Sequence, residues 1–486
     1  MAQTADFIDE KEIWDILETG KAPSRSLFEE ILSKAGEARG ISAGESAAML
    51  QVTDPSWLDE MYSAARDIKE RIYGKRLVLF APLYVSDYCV NNCTYCGYRR
   101  DNRFHRRRLT MEEVSKEVRI LESMGHKRLA IECGEDPVNC PIDYVTDVIQ
   151  AVYSTWNDNG NIRRVNVNIA ATTVEEYRLL KEAKIGTYIL FQETYDRGTY
   201  RSVHSGPKQD YDWHTTAHDR AMRAGIDDVG IGVLFGLADW RFEVLGLLQH
   251  AAHLDREFGV GPHTISVPRL RPAAGVDIDQ YPHLVTDSQF RRIVAVLRLA
   301  VPYTGMILST RERPGFRDEV IATGISQISA GSCTGVGGYS AETRACGGGV
   351  AGGGAACAGG SGGAAGAASD ESPQFKVDDT RSPDEIIRSL ANSGYIPSYC
   401  TACYRQGRTG DRFMALAKTG KIKEVCAPNA ILTFKEYLLD YATEETKRAG
   451  EHAIEQHLAT IPSDEVREET TRRLRLIEAG TRDLYF

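Results

Sequence analysis

No stretch of this 486-residue sequence approaches the ~18 apolar residues that a membrane helix needs, which excludes a spanning segment. Positive charge is in deficit. The 58 Lys and Arg against 68 Asp and Glu leave a net charge of −10, an argument against a nucleic-acid surface. The opening residues, MAQTADFIDEKEIWDILETG, lack the marks of a secretory signal and of an Arg/Ser-rich transit peptide. An intracellular chain, cytosolic or already processed, is the expectation. Cysteine is not scarce: eleven in a chain without secretory features imply a reducing compartment and metal ligation, not a disulfide framework.

The chain is long enough for two to four ordinary domains, unless a barrel takes half of it. Residues 8 to 75 carry apolar positions at helical spacing, as in FIDEKEIWDILETG and WLDEMYSAARDIKERIYG. From residue 77 the rhythm changes. Short β-branched runs (RLVLFAPLYVS, RLAIECGE, RRVNVNIA, TYILFQE, DDVGIGVLFG, HTISVPRL, TGMILST, ISQISAGS) alternate with amphipathic segments such as TMEEVSKEVRILESMG. Eight βα units over about 255 residues predict an α/β fold, a parallel (β/α)8 barrel of TIM type, with an open doubly wound sheet as runner-up. The segment 347–366 then holds 11 Gly and 6 Ala, too little side chain for a core, and reads as a flexible insertion. No nucleotide-binding glycine turn is credible there, and Cys346, Cys357 and Cys333 read as bystanders. The expected layout is an N-terminal helical segment (1–76), the barrel (77–340), the Gly/Ala-rich insertion (341–372) and a mostly helical C-terminal domain (373–486) that carries a second cysteine set.

A fourth cysteine is missing twice. The first set, YCVNNCTYCGY, places Cys89, Cys93 and Cys96 in the loop after the first barrel strand. Structural zinc wants four ligands. Three thiolates on one loop can instead hold three irons of a cubane and leave the fourth open, at the barrel mouth where active sites of this fold lie. The motif resembles that of the radical S-adenosylmethionine enzymes, whose open iron binds the methionine end of the cofactor. The resemblance implies that Tyr95 packs on the adenine. Gly134 and Glu135 of IECGEDP would hold the amino group, Glu193 of FQETY the ribose hydroxyls, and His214 a place near the carboxylate. Cys133 departs from the small residue common there and reads as structural.

The second set, CTACYRQGRTGDRFMALAKTGKIKEVC, supplies Cys400, Cys403 and Cys426, and a second open cubane is again the better reading. His263 opens the sixth strand in GPHTISVPRLRP, while Arg269 and Arg271 lie at its far end. Six residues at ~3.3 Å each put His263 about 20 Å from the top mouth, so it should face the bottom one. Neutral imidazole suits iron. With both cysteine sets, the chain resembles the tyrosine-lyase family of FeFe-hydrogenase maturases. That likeness covers nearly everything except the insertion.

The resemblance implies an enzyme that cleaves L-tyrosine to p-cresol and a dehydroglycine fragment, then converts the fragment to carbon monoxide and cyanide. Arg311 would hold the substrate carboxylate, with Ser329 a weaker candidate. A C-terminal 4Fe-4S cluster with an extra iron on His263, also binding free cysteine, would assemble an iron–carbonyl–cyanide precursor of the H-cluster. An internal tunnel would have to join the two sites. Partners would be a ferredoxin- or flavodoxin-like electron donor and other hydrogenase maturases, with neither nucleic acid nor membrane. The setting would be anaerobic, a plastid stroma if the Gly/Ala-rich insertion marks an algal chain and otherwise a cytoplasm. The alternatives are a thiazole-pathway tyrosine lyase (2-iminoacetate synthase) and a non-catalytic iron-sulfur scaffold. The basic run RRDNRFHRRRLT reads as a solvated loop, with contact to an anionic cofactor or protein partner as the other reading.

Overall fold

The structure, a computed structural model, describes residues 4–345 and 373–486. The expected insertion falls almost wholly outside them, as do Cys346 and Cys357. Its first residues, up to Ala345, complete a helix that begins at Gly338.

Each of the eight predicted strand segments contains a strand: β1 (Arg76–Ser86), β2 (Arg128–Cys133), β3 (Arg164–Asn168), β4 (Thr187–Ile189), β5 (Asp228–Gly232), β6 (Thr264–Ser266), β7 (Gly305–Leu308) and β8 (Gln327–Ser329). Neighbours pair in parallel around the ring, and β8 returns to β1 with Val78 opposite Gln327 and Phe80 opposite Ser329. This closed ring is the (β/α)8 barrel that the alternating pattern predicts. The helices between strands start where the sequence says they should. Thr110 and Glu113 form a capping box at Met111–Ser123, and Thr173 caps Val174–Glu182. Pro314 opens Pro314–Gly324, where its missing N–H costs nothing.

In the N-terminal segment, the helix Pro55–Tyr73 buries Met61, Ala65, Ile68 and Ile72, a stripe at helical spacing. The stripe packs against the barrel helices Asp287–Ala300 and Pro314–Gly324. Each large apolar side chain so buried contributes roughly 1.5–3 kcal/mol.

The C-terminal residues do more than append helices. A ninth strand, β9 (Ile396–Ser398), adds in parallel to the start of β1, with Arg76 opposite Ile396, below the stretch 81–86 that pairs with β2. The helix Ile422–Asp440 packs on β9 and on Pro55–Tyr73. The fully buried ion pair Arg317–Asp379, at 2.7 Å, ties a barrel helix to the incoming chain. These contacts bring Cys400, Cys403 and Cys426 to the lower end of the barrel. Among the described residues, no helix is long and apolar enough to cross a membrane.

Candidate functional site

At the upper mouth, the loop after β1 is fixed by main-chain hydrogen bonds. The Val90 N–H donates to the Glu135 carbonyl (2.8 Å), Thr94 to Val203 (2.9 Å) and Arg100 to Asn91 (2.8 Å). Gly134 lets the next loop approach. A Cβ there would stand 2.3 Å from the Tyr88 carbonyl oxygen and 3.0 Å from the Cys89 Cβ, so only glycine fits. The three thiols line a cavity of about 210 Å³ together with Tyr95, Gly134, Glu135, Glu193, His214, Arg311 and Ser329. Every upper residue named from the sequence therefore faces one space.

Their environments differ. Burial raises all three thiols, Cys93 to about 12 and Cys96 to about 11. Tyr95 is buried, its hydroxyl 2.8 Å from His204 Nε2. The Glu135 carboxylate accepts from Asn91 Nδ2 at 2.6 Å. Glu193 has φ of 69°, rare outside glycine, and its carboxylate meets Lys208 Nζ at 2.8 Å. Burial works against the Lys208 charge, but Glu193 and the Cys93 thiol outweigh it and raise the ammonium above its ordinary value. His214 is no surface residue: it is 3% exposed, its Nε2 lies 2.9 Å from the Phe191 carbonyl, and burial followed by the Lys208 charge keeps it neutral. Burial lowers Arg311, whose guanidinium lies 3.4 Å from the Phe375 ring and forms no ion pair among the described residues. Cys133 lines the same cavity, and a hydrogen bond with Cys140 raises its thiol.

Sequence reasoning missed several residues here. Lys208 is one, and Gln374 is another: its Nε2 lies 3.8 Å from Cys96 Sγ, which also accepts from the Tyr98 N–H at 3.4 Å. A third is Glu132, which faces the cavity, accepts from Asn168 Nδ2 at 2.7 Å and is raised to about 8 by burial. No local pattern marks Lys208 or Gln374, whereas Glu132 lies within IECGEDP, two residues before Gly134. Because the folded value of Glu132 lies above the ordinary carboxylate value, folding favours its protonated form. That stabilisation is whole below about pH 4.5 and is lost as pH rises through about 8. Glu132→Gln is expected to flatten the decline of the denaturation midpoint of the metal-free protein between about pH 5 and 8. An unaltered slope in urea titrations would show the carboxyl to be ionised throughout.

At the lower mouth, His263, Cys400, Cys403 and Cys426 line one smaller cavity of about 40 Å³. β9 delivers Cys400, the short helix Ala402–Arg405 carries Cys403, and Ile422–Asp440 carries Cys426. His263 stands one residue before β6; its Nδ1 has no hydrogen-bond partner and lies 3.4 Å from Asp228 Oδ1. Burial lowers the imidazole against the pull of Asp228, which keeps it neutral. A hydrogen bond with Cys426 holds Cys403 down to about 6, against burial and with help from Arg76 and Arg408. Arg76, Arg128 and Arg408 also line this cavity, each with an Nε that finds no partner. Asp228 and the arginines carry no spacing signal. The strand register makes Asp228 a neighbour of His263, because Gly230 pairs with Thr264 and so sets the polar starts of β5 and β6 side by side.

The two cavities come close inside the barrel. Phe80, Ala130, Ile307 and Ser329 line the upper one; Val78, Arg128, Gly305 and Gln327, two residues earlier on the same strands, line the lower. Two residues of strand span about 7 Å.

Among the described residues, no three His, Cys, Asp or Glu side chains stand close enough to hold a single metal ion. What speaks for a metal group at each mouth is the donor set. At the top, three soft thiols share a cavity, two N–H groups are aimed at Cys96 Sγ, and glycine lies where a side chain would intrude. At the bottom, three thiols face a largely buried imidazole, its side chain 12% exposed, whose Nδ1 has no hydrogen-bond partner and which a carboxylate flanks. The residues fit an iron-sulfur group at both mouths.

A parallel barrel with this thiol loop at its upper mouth is the architecture of the radical S-adenosylmethionine enzymes, and the protein is one of them. The Radical SAM superfamily model matches residues 83–245, and the Biotin and Thiamin Synthesis associated domain matches 266–396. The chain is similar to 2-iminoacetate synthase of Escherichia coli (strain K12), 30% identical over 311 residues that cover 64% of this chain and 80% of that one. It is more similar to a crystal structure of HydG, a maturase of the FeFe-hydrogenase: 60% identity, TM-score 0.92, covering 99% of this chain and 100% of the other. HydG from Carboxydothermus hydrogenoformans follows at 38% identity and TM-score 0.79, covering 96% and 97%. The chain belongs to the HydG family of maturases.

Proposed function

We propose that the protein is a radical S-adenosylmethionine tyrosine lyase. In this reading it splits L-tyrosine into p-cresol and a dehydroglycine fragment at the upper mouth, and turns the fragment into carbon monoxide and cyanide at the lower. The product is an iron–carbonyl–cyanide precursor for the FeFe-hydrogenase. The observation that carries this reading is the pairing of two thiol triads at opposite mouths of one barrel, the lower with His263 beside it. A thiazole-pathway lyase has no use for the lower set, and a cluster scaffold has no use for a lined upper cavity. We take the layout to be that expected from the sequence: helices to residue 76, the barrel to 340, an insertion to 372, then the C-terminal domain.

Cys89, Cys93 and Cys96 would hold a 4Fe-4S cluster. Together with S-adenosylmethionine it supplies one-electron cleavage of the sulfonium, and so the radical that abstracts hydrogen. Tyr95 offers the adenine an aromatic face, while Glu193, steadied by Lys208, offers acceptors for the ribose hydroxyls. Gly134 and Glu135 stand for the amino group, and His214 for the carboxylate end. Arg311 has no carboxylate of its own and is free to take the one on tyrosine. Ser329, on the adjoining strand β8, adds a hydroxyl. At the lower mouth, Cys400, Cys403, Cys426 and His263 would hold an iron-sulfur cluster with one further iron, a soft acceptor for carbon monoxide and cyanide that would also bind free cysteine. Asp228 orients the His263 ring. The approach of the two cavities supports an internal path for the fragment.

Anaerobically reconstituted protein with dithionite, S-adenosylmethionine and L-tyrosine should yield p-cresol and carbon monoxide, the latter trapped on deoxyhaemoglobin. Cresol without carbon monoxide would keep the lyase and remove the lower site from the reading. The absence of both would remove tyrosine as substrate. Arg311→Gln should raise the KM for tyrosine roughly 10–100-fold, the ~1.5–3 kcal/mol of a charged hydrogen bond, while S-adenosylmethionine cleavage without substrate persists. An unchanged KM would take Arg311 out of the substrate site.

A further inference from the structure

One motif has no part in this chemistry, the basic segment directly after the cysteine loop. Residues 99–108 hold six arginines and a histidine against one aspartate, in a chain whose net charge is −10. The segment folds back on the cysteine loop: the Arg99 N–H donates to the Cys96 carbonyl at 3.2 Å, and the Arg100 N–H to Asn91 at 2.8 Å. Arg106 pins it there, with its guanidinium donating to the carbonyls of Asp87, Tyr98, Arg99 and Asn102. These are neutral acceptors, so the pinning leaves the positive charge unpaired.

Arg100, Arg103, His105 and Arg108 are exposed on the outside of this rigid loop. Arg100 meets only Asp101, at 3.3 Å. Arg108 donates to the Asn139 carbonyl at 2.7 Å, and Arg103 makes no ion pair among the described residues. A local positive field on an otherwise negative protein orients as well as attracts. It draws an acidic partner to this one loop, and the rest of the surface repels that partner elsewhere.

We propose that this loop is the landing site of an acidic one-electron carrier protein of the ferredoxin type. The proposal rests on the reading above, in which the cluster that the three upper thiols would hold must be supplied with single electrons. Residues 97–99 join Cys96 to Arg100 along the chain, and the Arg99 N–H and the Arg106 guanidinium tie the basic segment to the backbone of the cysteine loop. A patch confined to ten residues of an acidic chain does not offer the extended basic stripe that a nucleic-acid backbone follows.

The test is the triple variant Arg100→Glu/Arg103→Glu/Arg108→Glu of the reconstituted full chain, assayed for methionine release from S-adenosylmethionine. With reduced plant-type ferredoxin at low ionic strength, kcat/KM for the carrier should fall at least ~10-fold, and the gap should close as salt is raised. With reduced methyl viologen, a small cation, the variant should match or exceed the wild type. Equal ferredoxin kcat/KM at low salt overturns the proposal, and so does a loss shared by the viologen reaction, which would locate the damage in the site. Calorimetric binding of oxidised ferredoxin needs no chemistry. Binding weakened by the triple variant supports the surface even if the wild type fails to cleave S-adenosylmethionine with viologen, a result that would sink only the catalytic reading. Binding of a DNA oligonucleotide in place of ferredoxin overturns the proposal.

Discussion

Cys96→Ala is expected to abolish p-cresol formation and S-adenosylmethionine cleavage together. Cys96 is the thiol that the surrounding backbone and Gln374 address directly, through the Tyr98 N–H and the Gln374 amide. Alanine leaves those donors without an acceptor and a three-thiol site with two, on a loop that is otherwise fixed. A thiolate must be supplied at each of the three iron positions that the protein would hold, and burial already raises the remaining thiols, Cys93 to about 12. The variant should fold, because the loop is held by main-chain bonds to Glu135, Val203 and Asn91 that do not involve the side chain. Near-wild-type thermal stability of the metal-free variant, with no methionine or cresol released, is the expected pair of results. Cresol at the wild-type rate would remove the upper triad from the chemistry.

His263→Ala should separate the two mouths. Cresol formation should stay within about 2-fold of wild type, because the residue lies at the N-terminal end of β6, away from the upper cavity. Iron-bound carbon monoxide should fall by more than the ~10–100-fold typical of losing a residue that only supports a metal ligand. Asp228→Asn, which keeps the imidazole but weakens the carboxylate beside it, should fall within that smaller range. The His263 ring also packs 4.7 Å from Phe413, so the melting temperature of the metal-free variant belongs beside the assay. Infrared bands of iron-bound carbonyl and cyanide at equal intensity in variant and wild type would exclude the histidine as a ligand.

These two expectations rest on features that are legible to different degrees in the sequence. CxxxCxxC and CxxC…C are local spacings, and the eight strand-and-helix alternations follow from patterns within ten to twenty residues. Both survive reading one residue after another. The placement of His263 needed only a strand direction. The rest of each site is a product of closure. Lys208 reaches Glu193 across 15 residues of loop and short helices. Gln374 arrives at Cys96 from beyond the insertion, 278 residues along the chain. Neither sits in a pattern, because one residue projected into a cavity imposes no periodicity on its neighbours.

The sequence by itself determined that three thiols follow the first strand, that a second three lie near the C-terminus, and that a parallel barrel stands between. Local propensity and side-chain chemistry are enough for that. Only the tertiary structure decided that the second set belongs to the barrel. The parallel pairing of Ile396–Ser398 with Arg76–Val78, more than 300 residues apart, brings Cys400, Cys403 and Cys426 beneath the lower mouth to face His263. A parallel pairing of two short segments leaves almost no trace in sequence, since its hydrogen bonds are made by backbone that every residue shares. The same holds for Arg76, Arg128, Asp228 and Arg408, which the ring of strands and the helices beneath it gather around one cavity from four distant stretches of chain.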